Sequence, residues 1–213
     1  MYVPAHFSQT DQDALKEFIK TYPFGLLVTH GKSGLDANHI PFELLEGGPQ
    51  GLLSAHVARA NPVWQDVQDG DEVLVVFKAA DSYISPTWYP SKQDHHKQVP
   101  TWNYMVVHAR GRITIRDDER YVRGVVARLT RQHEAAMPQP WKMSDAPADY
   151  IDSLLKAVVG IEIEITSLVG KTKLSQNKEV RDVRSVGEQL KARGAHILGD
   201  ATLRAADEKE QAQ

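Results

Sequence analysis

The chain has 213 residues, 41 % hydrophobic and 25 % charged, with a formal net charge of −3 and no cysteine. This composition fits one soluble globular domain with a sizeable core. The charge balance gives no global reason to bind nucleic acid, and the lack of cysteine excludes disulfides, thiolate metal sites and thiol nucleophiles. No apolar run reaches the length of a membrane span, and Met1-Tyr2-Val3-Pro4-Ala5-His6-Phe7 has no basic region followed by an apolar stretch, so the expectation is a cytoplasmic protein without a signal peptide.

The first predicted element is a helix capped by Thr10, with Leu15, Phe18, Ile19 and Tyr22 in one apolar stripe and Pro23 as its stop. Phe24 to His30 reads as a strand, Gly31-Lys32-Ser33-Gly34 as a hairpin turn, and Leu35 to Leu45 as the return strand, which Pro41 keeps from pairing throughout. After Gly47-Gly48-Pro49, Gly51 to His56 is a further strand, and Asn61-Pro62 predicts a helix start. Glu72 to Lys78 is a continuous apolar strand, and Ser82 to Ser85 begins another. Tyr89 to Gln98 reads as a polar loop.

From Tyr104 to Ile115, Met105, Val107, Ala109 and Ile113 alternate with Tyr104, His108, Arg110 and Arg112, the pattern of a half-buried strand. Val122, Val125, Val126 and Leu129 predict one helix, and Ile151, Leu154, Leu155 and Val158 another, with prolines between them. Ile161, Ile163 and Ile165 mark a last strand, and Val183, Val186 and Leu190 a C-terminal helix ending near Gly194. The expected organisation is one domain over residues 1–194 and a partly disordered extension over 195–213, with Ala205 to Gln213 fraying. About six or seven mostly antiparallel strands with peripheral helices favour a mainly β (α+β) barrel over a parallel βαβ sheet.

Tyr83-Ile84-Ser85-Pro86-Thr87-Trp88-Tyr89 and Val99-Pro100-Thr101-Trp102-Asn103-Tyr104 combine flat rings with hydroxyls and an amide. Such a mixture suits the wall of a pocket for a planar, polar-edged ligand, and equally an aromatic packing cluster at a strand end. His56, Arg59 and Asn61 lie where a strand meets a helix, a place that suits a phosphate; an ordinary N-cap with a surface arginine is the alternative. Lys171 to Lys178 adds positive charge after the last strand, or is a solvated turn. No metal-ligand spacing, nucleophile elbow or catalytic triad is present, so neither metal ligands nor catalytic residues are nominated. His39 and His56, on consecutive strands, could face each other. The basic residues Lys178, Arg181, Arg184, Lys191 and Arg193 are interleaved with acidic ones and read as a solvated helix face rather than a DNA reader.

Asn38-His39-Ile40-Pro41-Phe42, His56 to Pro62, Tyr83 to Tyr89, Val99 to Tyr104 and Lys173-Leu174-Ser175-Gln176-Asn177 occur in order. Together they closely resemble the PaiB-type family, described as FMN-binding negative transcriptional regulators. Met1-Tyr2-Val3-Pro4, Pro140-Trp141 and Val159-Gly160-Ile161-Glu162 share the resemblance. It implies an FMN-binding split β-barrel, a homodimer, and flavin at the subunit interface. By that analogy His56, Arg59 and Asn61 would hold the phosphate. Lys173, Ser175, Gln176 and Asn177 would approach from the barrel end or the partner subunit, and Trp88, Thr101 and Trp102 would border the isoalloxazine. The family name raises contact with DNA, for which the sequence supplies no motif. The alternatives are a flavin-dependent oxidoreductase acting on a small molecule or NAD(P)H, and a haem-binding split barrel using His39 or His56.

Overall fold

The computed structural model describes residues 1–212. Its strands are β1 (Ser8–Gln9), β2 (Phe24–Gly31), β3 (Gly34–Pro41), β4 (Glu43–Leu45), β5 (Leu52–Ala58), β6 (Glu72–Ile84), β7 (Thr101–Arg116) and β8 (Val158–Lys173). Its helices are α1 (Gln12–Thr21), α2 (Val63–Asp66), α3 (Lys92–His95), α4 (Glu119–Glu134), α5 (Ala148–Lys156), α6 (Val180–Ala192) and α7 (His196–Gln211). The eight strands form one sheet in the order β3-β2-β6-β7-β8-β5-β4, with β1 on β8. Chain contacts divide into two compact units. Among the described residues the first comprises 1–11, 78–107 and 169–212, and the second 12–77 and 108–168.

In the second unit, β2 and β3 form the expected hairpin, with Gly34 at φ +99° beside the turn, a backbone conformation that a Cβ disfavours. Pro41 has a larger effect than loss of one ladder bond. Its register ends against Phe24, and the next amide, Phe42, donates instead to the Pro23 carbonyl at 2.9 Å. The predicted return strand therefore becomes two: β3 pairs with β2, and β4 pairs with β5. Phe42 at this corner is fully buried and meets Phe77 edge-on at 5.7 Å between ring centroids. The division also means that β3, with His39, does not pair with β5, with His56. Ile161, Ile163 and Ile165 of β8 are buried as their alternation predicts, and β5 lies antiparallel against them.

Helix α4 begins at Asp118, whose carboxylate accepts the Tyr121 amide at 2.7 Å. Val122 of α4 packs with Ile151 and Leu155 of α5, and Val126, Met143 and Ala146 close over this small cluster.

The first unit departs more from expectation. Glu72 to Ile84 is one uninterrupted strand rather than two, and it runs on into this unit. The polar loop after Tyr89 contains α3 and a fully buried serine, Ser91. Past Gly194, which lies at φ +81°, the chain forms α7. Polar composition concealed a narrow buried face on α7, made of Leu198, Ala201, Thr202 and Ala206. Gly187 of α6 and Gly199 of α7 let the two helices approach: a Cβ on Gly187 would lie 2.7 Å from Leu203, and one on Gly199 would lie 2.6 Å from Lys191. No helix among the described residues is long and apolar enough to cross a membrane.

Candidate functional site

The nominated residues form two groups, one in each unit. In the first unit, three segments far apart in sequence converge. Lys173 at the end of β8 donates through Nζ to Thr101 Oγ1, and to the Trp102 carbonyl at 2.5 Å, both at the start of β7. Its ammonium also lies 5.8 Å from the centre of the Phe7 ring. Burial first, then the charges of Lys171 and Lys178, lower the Lys173 pKa below the ordinary lysine value. Lys171, one register step earlier on the same face, is buried; its Nζ lies 5.9 Å and 5.3 Å from the Tyr2 and Tyr104 rings and donates to the Tyr2 carbonyl at 3.1 Å. Two amines therefore share an aromatic, poorly solvated setting.

The residues after Lys173 form a rigid turn. Ser175 is buried at φ +66°, unusual for a residue with a Cβ, and buried partners hold it there. Its hydroxyl takes a hydrogen bond from Asn103 Nδ2 at 3.0 Å and lies 3.5 Å from the Tyr89 hydroxyl. Gln176 closes the turn with its own amide: Oε1 accepts the Leu174 amide at 2.7 Å, and Nε2 donates to the Thr172 carbonyl at 2.6 Å. Asn177 is exposed and lines a surface hollow of about 500 Å³ with Lys178, Arg181 and Lys209.

The two tryptophans differ. Trp102 is 53 % exposed and meets Tyr83 edge-on at 6.1 Å. Trp88 is half-buried, with the Arg193 guanidinium 4.6 Å from its ring centre and its carbonyl accepting from Ser185 Oγ at 2.7 Å. Trp102 thus has the more open indole.

Residues that the sequence reading passed over complete this group. Asp182 on α6 is buried and accepts the Ser91 amide at 3.0 Å, the Ser91 hydroxyl at 2.6 Å and the Gln98 side chain at 3.4 Å. Gln98 in turn accepts from Lys178 Nζ at 2.7 Å. The signal was present: Asp182 stands beside Val183 and four residues before Val186, within the buried stripe of α6. A carboxylate there needs partners, and the loop after Tyr89 supplies them.

In the second unit, Arg59 forms a bidentate pair with Asp117, at 2.5 Å and 2.9 Å. It also donates through Nε to the Lys156 carbonyl at 2.8 Å and through Nη2 to the Val158 carbonyl at 3.3 Å. Four of its five N–H donors are therefore engaged, against the free guanidinium that the anion-site argument expected. The Asp117 hydrogen bond raises the Arg59 pKa, and the Arg59 hydrogen bond lowers that of Asp117. Asn61 accepts the Val63 amide at 3.0 Å and donates to Asn38 Oδ1 at 2.6 Å. The helix that follows, α2, spans only four residues, too short to present a helix-end field of any strength. His56 Nδ1 is buried without a hydrogen-bond partner among the described residues, and burial lowers the His56 pKa, favouring neutral imidazole.

Residues 1–167 match the family model described as "Putative FMN-binding domain". The chain belongs to that family. It is 29 % identical over 190 residues to the protease synthase and sporulation protein PAI 2 of Bacillus subtilis, covering 89 % of each chain. It is also 36 % identical over 160 residues to an uncharacterised Saccharomyces cerevisiae protein, covering 65 % of this chain and 94 % of the relative. Among solved structures, the flavocytochrome from Azotobacter vinelandii superposes with a TM-score of 0.59 at 12 % identity, covering 81 % of this chain and 72 % of the other. The FAD and haem binding protein of Mycobacterium smegmatis gives 0.54 at 15 %, covering 78 % and 73 %. The family member thus has the antiparallel split-barrel fold with peripheral helices that the PaiB-type resemblance implied.

Three of the five basic residues named for helix α6 are ion-paired, while Lys178 donates to Gln98 and Arg193 lies over the Trp88 ring. Arg181 pairs with Asp94 and Glu179, Arg184 with Asp207 and Glu210, and Lys191 with Asp200.

Proposed function

We propose that this protein binds FMN as a homodimer, with flavin at the subunit interface, and uses or senses its redox state. The observation that carries this reading is the convergence of Thr101, Trp102, Lys173 and Ser175 in the first unit: an open indole, hydroxyls and an amine held in a fixed arrangement. The donor chemistry fits flavin. Lys173 has two of its three N–H groups engaged and one left for a carbonyl or phosphate oxygen of a ligand. Trp102 and Trp88 would border the ring system, while Ser175 and Gln176 would hold the turn and Asn177 would offer an exposed amide. On the second unit, His56, Arg59 and Asn61 would serve the phosphate, with Arg59 turning part of its fork from Asp117 to the ligand. When bound, FMN supplies the electron transfer, and the protein's part is binding and orientation.

The direct test is absorbance of the freshly purified protein followed by FMN titration. A flavin spectrum, or a melting temperature that rises with FMN, is the expected result, because a ligand that binds only the native state must stabilise it. No spectrum and no shift at saturating FMN would end the proposal. Stopped-flow mixing of the FMN-loaded protein with NADH or NADPH then separates an oxidoreductase from a regulator that only senses flavin. Regulation through direct DNA contact would require a steep loss of binding with salt. The ion pairs of Arg181, Arg184 and Lys191 weigh against this helix as the reader.

A haem reading has one observation in its favour, the buried and unpartnered Nδ1 of His56. A Soret band on adding haem, lost in His56→Ala, would establish it.

A further inference from the structure

The Pro140-Trp141 segment takes no part in either group of flavin candidates, yet it walls a cavity of about 450 Å³ within the second unit. One side of this cavity is the C-terminal half of α4, where Ala127, Arg131 and Glu134 lie on one face. The other side is Trp141, Lys142 and Met143. The wall is fixed rather than draped. The Trp141 amide donates to Glu134 Oε2 at 2.9 Å, and Met143 packs on the cluster of Val122, Ile151 and Leu155. Ala127 contributes only a methyl group to the same lining.

The charges around this hollow are unequal. Arg131 and Lys142 stand on opposite walls, and among the described residues neither is in an ion pair. Glu134 supplies the one carboxylate, and part of its hydrogen-bonding capacity is taken by the Trp141 amide. Two cations against one partly engaged carboxylate, around an indole and apolar carbons, complement a small flat molecule with one anionic end. The volume falls within the range of small-molecule sites. We propose that this cavity is a ligand site for a small aromatic carboxylate, its ring on Trp141 and its carboxylate between Arg131 and Lys142. The proposal stands on this unit alone and does not depend on flavin binding.

The test is calorimetric titration of the full chain with 2-naphthoate and, as a neutral counterpart of the same shape, 2-naphthamide. Naphthoate should bind about tenfold more tightly at low salt. Arg131→Gln and Lys142→Gln should each weaken naphthoate roughly three- to tenfold and leave naphthamide unchanged. Trp141→Ala should weaken both ligands, and Trp141→Phe should restore part of the loss. All three side chains are solvent-facing, and an unchanged melting temperature checks that each of the four variants folds. Prior saturation with FMN should leave naphthoate affinity unaltered. Equal affinity for acid and amide, no detectable naphthoate binding at millimolar concentration, indifference to all four substitutions, or competition by FMN would each overturn the proposal.

Discussion

The two groups of candidate ligand residues are held in place by different physics. In the first unit, Ser175, Asn103, Tyr89, Ser91 and Asp182 are buried, and their hydrogen bonds lie where water cannot substitute for a lost partner. In the second, Arg59 and Asp117 form a bidentate pair whose side chains are 40 % and 43 % exposed. Water can replace either partner there, so the pair sets direction more than stability. One region is a frame that breaks when cut, and the other is a latch whose partners face water.

The largest effect expected from breaking this contrast is in the frame. Asp182→Ala strands the Ser91 amide and hydroxyl in a buried setting, at a cost of about 3 kcal/mol, read as a lower urea midpoint. A loss within experimental error would show that the loop after Tyr89 is not held by this carboxylate. Next is the crossing that supports the frame. Gly187→Val forces side-chain atoms onto Leu203 and should destabilise by about 2–3 kcal/mol. The same substitution at Gly34 faces no neighbour within 4 Å, though its positive φ still disfavours a Cβ, so a smaller loss is expected.

A third prediction concerns pH. Burial lowers the His56 pKa from its ordinary 6.5, so below that value the unfolded chain binds the proton more readily than the folded one. Stability should be fully present above 6.5 and decline as pH falls toward the lowered folded-state pKa. His56→Gln should flatten part of that decline, and His108, lowered in the same direction by burial, should retain the rest. An identical pH profile in wild type and variant would show that His56 does not contribute.

The smallest stability change is expected at the latch. Asp117→Ala should barely move the urea midpoint, yet by freeing Arg59 it should tighten FMN while leaving riboflavin unchanged. Arg59→Ala should weaken FMN and spare riboflavin. Parallel changes for the two flavins would remove Arg59 from the phosphate site.

Alternation and punctuation in the sequence determined much of the architecture. Ile161, Ile163 and Ile165 declare a strand because period two places them on one face, and Val183, Val186 and Leu190 declare a helix because period 3.6 does the same. The aromatic and lysine segments stood out as candidates because packing alone seldom asks for tryptophan beside threonine and asparagine, with an aromatic packing cluster and a solvated turn as the alternatives. Tertiary structure decided what local pattern could not carry. Pro41 was legible as a pairing defect, but only the sheet shows that it hands the chain from β2 to β5. Asp182 looked like one more acidic residue on a mixed helix until Ser91 and Gln98, more than eighty residues earlier, supplied its hydrogen bonds. The same holds for Arg59: its charge is written in the sequence, but Asp117 takes up that charge across a fold that brings residues 58 positions apart into contact. Backbone periodicity is a short-range property, whereas the satisfaction of a buried or charged group is decided by whichever distant residues the fold delivers to it.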